Sequence, residues 1–202
     1  MKAVLAGLFF ITGATSLVFE VLWVRGLTLV VGNTTFAVSL VIAAFLFGLA
    51  LGNALAGRLT LRLKRPLWGY AIAELAAGAL ALAVTLALPR LSGALAALGL
   101  PGGGPVSARL AVVAVLMIPP TVAMGASLPM LAAWVGGALK NAGVEVGTLY
   151  TVNTLGAAVG CALAGFWWIA SLGVLGTAYL ACGLNVLVGV CALVLARRTA
   201  VP

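Results

Sequence analysis

Two stretches of this chain repeat one another. Gly48–Gly57 reads Gly-Leu-Ala-Leu-Gly-Asn-Ala-Leu-Ala-Gly, and Gly156–Gly165 reads Gly-Ala-Ala-Val-Gly-Cys-Ala-Leu-Ala-Gly. Gly48, Gly52 and Gly57 therefore align with Gly156, Gly160 and Gly165, and each set lies in a long apolar segment free of proline. Lipid gives helices no hydrophobic reason to associate, so small residues at four-residue spacing, which let two backbones approach closely, mark packing faces. Two related packing helices predict a duplicated helical bundle.

The surroundings make that bundle a membrane one. The chain is 64% hydrophobic and 7% charged, with a mean hydropathy of +1.28. A soluble domain keeps roughly a quarter of its residues charged. The net charge of +8 does not indicate nucleic-acid binding, because the basic residues sit at the ends of apolar segments, where they set topology and meet headgroups. Cys161, Cys182 and Cys191 lie within apolar segments without Cys-x-x-Cys spacing, and histidine is absent. No metal site or cofactor is expected, and the cysteines read as small packing residues. The apolar run after Met1-Lys2 continues past any cleavage region to Glu20 and Trp23, as a first membrane helix does.

With about 20 apolar residues needed per crossing, six spans fit: 4–25, 35–57, 67–89, 108–136, 147–170 and 173–196. Arg58, Arg62, Lys64 and Arg65 form the densest basic cluster, which the positive-inside rule places in the cytoplasm. Six spans then put both termini there too. Lys2, Lys140, Arg197 and Arg198 agree, leaving Arg25, Arg90 and Arg109 outside, as in a multi-pass protein of the plasma (inner) membrane. Trp23, Trp68, Trp134, Trp167 and Trp168 fall near span ends, where indole rings favour the headgroup level. Leu91–Leu100 is too short to cross and is expected along the outer interface, before the break at Pro101–Pro105. Pro119, Pro120 and Pro129 predict a bent or broken fourth span.

The halves share more than glycines. Gly13-Ala14-Thr15-Ser16 in the first span matches Gly125-Ala126-Ser127 in the fourth, Gly48 matches Gly156, and Glu74-x-x-x-Gly78 in the third matches Asn185-x-x-x-Gly189 in the sixth. Three matches in one order at nearly constant spacing predict a three-span unit used twice. An odd unit must be inverted, which is the architecture of many secondary transporters. The competing reading is that small-residue spacing recurs in most packed membrane helices.

Three acidic residues exist: Glu20, Glu74 and Glu145. A carboxylate within the bilayer faces a partner or a cavity. Glu20 either contacts Arg25 or a headgroup, or binds a cation. Glu74, matched by neutral Asn185, either serves as a structural hydrogen-bond partner or binds a cation or proton. Glu145 is expected to be solvated or near Lys140. Thr148, Tyr150, Thr151, Asn153 and Thr154, with Asn33, Thr34 and Thr35, either line a path or join helices by hydrogen bonds. The candidate substrate-binding set is Glu20, Arg25, Glu74, Tyr150, Asn153 and Asn185. No nucleophile–base pair, carboxylate pair or phosphate loop can be assembled, so catalysis within this chain is not expected.

Glu20-Val-Leu-Trp23-x-Arg25, Gly32-Asn33-Thr34-Thr35, Phe45-x-x-Gly48-x-x-x-Gly52, Arg65-Pro66-Leu67 with Glu74, Met124-Gly125-Ala126-Ser127-Leu128-Pro129 and Gly147-x-Leu149-Tyr150-x-x-Asn153-Thr154-Leu155-Gly156 together resemble the amino-terminal membrane domain of fused major-facilitator/spermidine-synthase proteins. The resemblance covers nearly the whole chain and implies a bundle like half of a major-facilitator transporter, followed in the family by a cytosolic aminopropyltransferase-like domain. The chain departs from the family in ending at Pro202, so that domain and its transferase activity are expected to be absent. It also has Leu61 where the facilitator loop carries an acidic residue. The implied function is binding or passage of a small organic cation such as a polyamine, with a homodimer supplying the second half. The alternative is a non-transporting anchor or assembly subunit of a larger membrane complex.

Overall fold

A computed structural model of the chain describes residues 1–31, 35–97, 106–136 and 142–198. The described residues are helical, with no strand. In order, the elements are α1 (Lys2–Val31), α2 (Thr35–Thr60), α3 (Pro66–Ala97), α4 (Val106–Gly136), α5 (Ala142–Leu163), a π-helical turn (Ala164–Trp168) and α6 (Ile169–Arg198). Five stretches are long and apolar enough to cross a membrane: Lys2–Thr28, Val38–Thr60, Pro66–Leu91, Ala111–Val135 and Gly143–Arg198. This is an all-helical membrane protein.

The last stretch covers both 147–170 and 173–196. No loop divides 147–170 from 173–196; helix runs into π-turn and helix again, giving one 56-residue run. At ~1.5 Å per residue a straight helix of that length is far longer than a bilayer core of ~30 Å. The run is not straight, because Gly173 interrupts it at φ 71° and ψ 177°. That left-handed conformation is open to glycine and costly for residues with a Cβ. The Thr177 hydroxyl donates to the Gly173 carbonyl at 2.7 Å and secures the restart.

Helix directions follow from who meets whom. Gly156 and Gly160 of α5 lie against the Phe10 and Ala14 carbonyls, so α1 and α5 run parallel. Thr12 meets Tyr70 and Trp23 meets Thr85, so α3 is parallel to α1. Gly78 of α3 lies against Asn185 and Gly189 of α6 against Leu75, so α6 runs the opposite way. The chain has therefore turned back between α5 and α6. A second parallel pair, α2 with α4, places Gly48 and Gly52 against Thr121 and the Val122 carbonyl.

These contacts use the predicted glycines in part. A Cβ on Gly52, Gly156 or Gly160 would run into a carbonyl of the facing helix, and one on Gly48 into the Thr121 hydroxyl. Gly57 and Gly165 are the exceptions: nothing approaches the space a Cβ would fill at either. Each stands five residues after its neighbour glycine, about 140° round the helix from the crossing face, where Ala56 and Ala164 are the buried residues.

Other boundary readings also change. Leu91–Ala97 continues α3 straight through Pro89 rather than forming a separate interfacial segment; Leu98–Leu100 and Pro101–Pro105 lie outside the described residues. α4 stays helical through Pro119, Pro120 and Pro129, so it is not broken. Trp23 is no interfacial residue: it is fully buried, stacked edge-on to Phe45 with ring centroids 6.5 Å apart, and its Nε1 donates to Thr85 Oγ1 at 3.0 Å. Trp167, by contrast, is exposed on the π-turn. Arg58, Arg62, Lys64 and Arg65 are exposed around the α2–α3 turn, and Pro66 opens α3 where its missing N–H costs nothing.

Candidate functional site

The six candidate residues do not converge on one site. The structure distributes them over three places: Tyr150 and Asn153 at a central cavity, Glu74 and Asn185 at the α3–α6 crossing, and Glu20 and Arg25 in a groove on the far half of α1.

The central cavity has a volume of about 480 Å³ and lies where the α1–α5 and α2–α4 pairs face each other. Its polar wall is Thr12 and Ser16 of α1, Asn53 of α2, and Tyr150 and Asn153 of α5. Spacing explains the α1 contribution, since positions four apart lie one above the other on one helix face. The Asn153 amide donates to the Phe9 carbonyl at 3.0 Å, which pins α5 to α1 beside the cavity. Asn53 and Tyr150 are exposed at the cavity's open side. Among the described residues, no charged side chain lines the cavity.

Behind this wall lies a buried polar layer. The Thr12 hydroxyl is 2.9 Å from the Tyr70 hydroxyl, and Thr12 also interacts with Glu74. Glu74 is 1% exposed, and its Oε1 accepts a hydrogen bond from Ser127 Oγ at 2.6 Å. The Asn185 amide reaches the Glu74 backbone carbonyl at 3.5 Å. Among the described residues, Glu74 Oε2 and Asn185 Oδ1 are buried without a hydrogen-bond partner. A buried polar atom left unpaired costs free energy, so this layer is incomplete as it stands. Among the described residues no cation pairs with Glu74.

Lys140, the neighbour expected for Glu145, lies outside the described residues, and Glu145 is partly exposed. It pairs with Lys2 at 2.7 Å and ties the first turn of α5 to that of α1. Asn33 and Thr34 also lie outside the described residues. Thr148, Thr151 and Thr154 donate back to the carbonyls four residues before them and are exposed, so none bridges helices.

Thr12, Ser16, Asn53 and Ser127 were not read as site residues from the sequence. Asn53 stood inside the glycine motif and Ser127 inside the α4 motif, where both read as pattern rather than chemistry. The available signal was cost: an amide or hydroxyl in an uncharged membrane helix needs a partner or a wet surface. Compared with family models, with curated proteins and with solved structures, the chain matches none. The site's geometry therefore carries the functional reading.

Proposed function

We propose that this chain crosses the membrane six times as two inverted three-helix units and binds a small organic cation in its central cavity as one half of a transporter. Inversion draws support from paired contacts. Gly13 lies against the Asn153 carbonyl as Gly125 lies against that of Leu49, and Gly156 lies against the Phe10 carbonyl as Gly52 lies against that of Val122. These pairs equate α1 with α4 and α2 with α5. They match Gly156 to Gly52 rather than to Gly48, one helical turn away from the sequence alignment. Glu74 and Asn185 then face each other at the crossing of the third helix of each unit. Under the topology proposed from the positive cluster, both termini are cytoplasmic.

The observation that carries solute binding is the cavity itself: about 480 Å³, open on one side, with a mainly apolar lining into which Thr12, Ser16, Asn53, Tyr150 and Asn153 bring hydroxyls and amides. Glu74, one side chain behind Thr12, supplies the buried negative charge, and its free oxygen favours a cation or a proton. A polyamine is the candidate supplied by the resemblance to fused spermidine-synthase proteins. Native mass spectrometry of the chain in nanodiscs with spermidine tests this. The expected result is a dimer with bound spermidine, reduced at least tenfold in affinity by Glu74→Gln and by Asn53→Leu. Binding unchanged in both variants removes the cavity and Glu74 from the proposal.

A second reading, a non-transporting assembly subunit, also has support. Asn53 and Tyr150 are exposed on a face that would otherwise meet lipid, and polar groups there favour cover by another polypeptide. A monomer that ignores spermidine favours this reading.

A further inference from the structure

The concavity around Glu20 and Arg25 adjoins the central one. It holds about 300 Å³, and Leu17 lines both it and the central cavity. Along α1 the linings follow in one direction: Thr12 and Ser16 at the central cavity, Leu17 between, then Glu20, Val24 and Arg25. Steps of four keep such positions on one slowly winding helix face. α5, parallel to α1, runs in the same sense, with Asn153 and Ala157 at the central cavity and Cys161 and Gly165 at the second. α2 runs in reverse, with Asn53 and Ala50 at the central cavity and Ile42 at the second. Three helices therefore agree on one concave track beside α1, divided at Leu17.

Charge sets the second compartment apart. Its lining carries Glu20 and, ~7.5 Å of helix rise further along α1, Arg25. Among the described residues neither forms an ion pair. Glu20 is half-buried within the first membrane-spanning stretch, and a carboxylate at such a place faces a cavity or a partner. We infer that Glu20 is a second station for an ammonium-type organic cation, and that Leu17 is the partition between this station and the central cavity. The inference rests on the solute reading above and extends it from one cavity to a path. A cation entering past the end of α1 meets Arg25 first, whose charge is an electrostatic barrier to it. The Glu20 carboxylate, five residues deeper, offsets that barrier. Beyond it stand the apolar side chain of Leu17 and then the hydroxyls and amides of the central cavity.

Cys161 supplies a native probe, because it is an exposed free thiol on the second lining. The full chain in lipid nanodiscs is reacted with two methanethiosulfonates of opposite charge, the ethyltrimethylammonium and the ethylsulfonate, and modification of Cys161 is followed by peptide mass spectrometry. Both are expected to react. Glu20→Gln should lower the cation-to-anion rate ratio about tenfold and Arg25→Gln should raise it, the scale of one nearby charge at the effective dielectric of a protein. The anionic reagent controls for folding, since a collapsed groove slows both. Spermidine should slow the cationic reagent in the unmodified chain but not in Glu20→Gln. In sealed vesicles with the Arg25 end outward, external cationic reagent should reach a Ser16→Cys site in a Cys161→Ser chain at least tenfold faster once Leu17→Ala is added. A Cys161 inert to both reagents overturns the inference, because the groove is then filled by lipid, as does a rate ratio unmoved by Glu20→Gln. Equal rates at position 16 with and without Leu17→Ala overturn the partition. A charge-dependent ratio without protection by spermidine overturns the solute reading above and leaves Glu20 as a cation site.

Discussion

Ser127 Oγ on α4 donates to Glu74 Oε1 on α3 at 2.6 Å, and both side chains are 1% exposed. This bond joins the two helices in the middle of the bundle, at a carboxyl whose other oxygen has no partner among the described residues.

Removing the donor should therefore cost more than removing the pair. Ser127→Ala leaves both carboxyl oxygens short of hydrogen bonds and is expected to destabilise by about 1.5–3 kcal/mol, the range for a bond to a charged group. The double variant Ser127→Ala with Glu74→Leu should regain most of that loss, since an apolar pair leaves nothing unsatisfied. Equilibrium unfolding in mixed micelles, analysed as a double-mutant cycle, checks this; strictly additive losses would count against the bond.

The glycines divide into two classes that one experiment can separate. Gly52→Val and Gly156→Val drive a side chain into the Val122 and Phe10 carbonyls, so each should cost about 3 kcal/mol or more through overpacking. Gly57→Ala meets no neighbour and should be neutral or stabilise by about 0.5–1 kcal/mol through helix propensity. Thermal melts in detergent rank the three. A Gly57→Ala penalty equal to the other two would mean that this face is covered by something outside the chain.

Trp23 and Thr85 form a buried pair at 3.0 Å. Thr85→Val keeps the volume close but strands the indole N–H, with an expected loss of about 1–3 kcal/mol. Trp23→Phe should lose packing volume but leave the Thr85 hydroxyl satisfied by the Ala81 carbonyl, to which it already donates at 2.9 Å. Tryptophan emission during unfolding follows the first variant directly, and a melting temperature unchanged by Thr85→Val would show that the indole finds another acceptor.

The Lys2–Glu145 pair is short but accessible, with side chains 56% and 33% exposed. Lys2→Met should lower stability by no more than about 1 kcal/mol at low salt. The difference from the unmodified chain should shrink further at 1 M salt, where the Debye length falls to about 3 Å. Paired melts at the two ionic strengths measure it; a loss that persists at high salt would point to packing of the lysine stem instead.

Much of the architecture was legible because membrane helices obey few rules. Apolar length sets where helices lie, and charge scarcity excludes a soluble fold. The small-residue spacing at Gly48, Gly52, Gly156 and Gly160 identified real crossings, because close backbone approach has a direct sequence signature. Its third members, Gly57 and Gly165, show the limit of that signature: each stands five residues on, about 140° round the helix, and the buried place four residues on belongs to Ala56 and Ala164. Under the proposed inverted repeat, Gly156 aligns with Gly48 by sequence, where three glycines match, but with Gly52 by the carbonyl each meets.

The site was less legible than the bundle. By itself the sequence determined a helical membrane protein, the main packing faces and the few acidic residues that could matter, since each follows from composition and local periodicity. Tertiary structure alone decided that Glu20 and Arg25 line one groove, that Tyr150 and Asn153 share a cavity with Thr12, Ser16 and Asn53, and that Glu74 sits behind that cavity with one oxygen unpartnered among the described residues. Those are relations between helices far apart in sequence. They depend on which faces the glycine crossings bring together and on the reversal at Gly173, and neither is written into the span of residues that carries the chemistry.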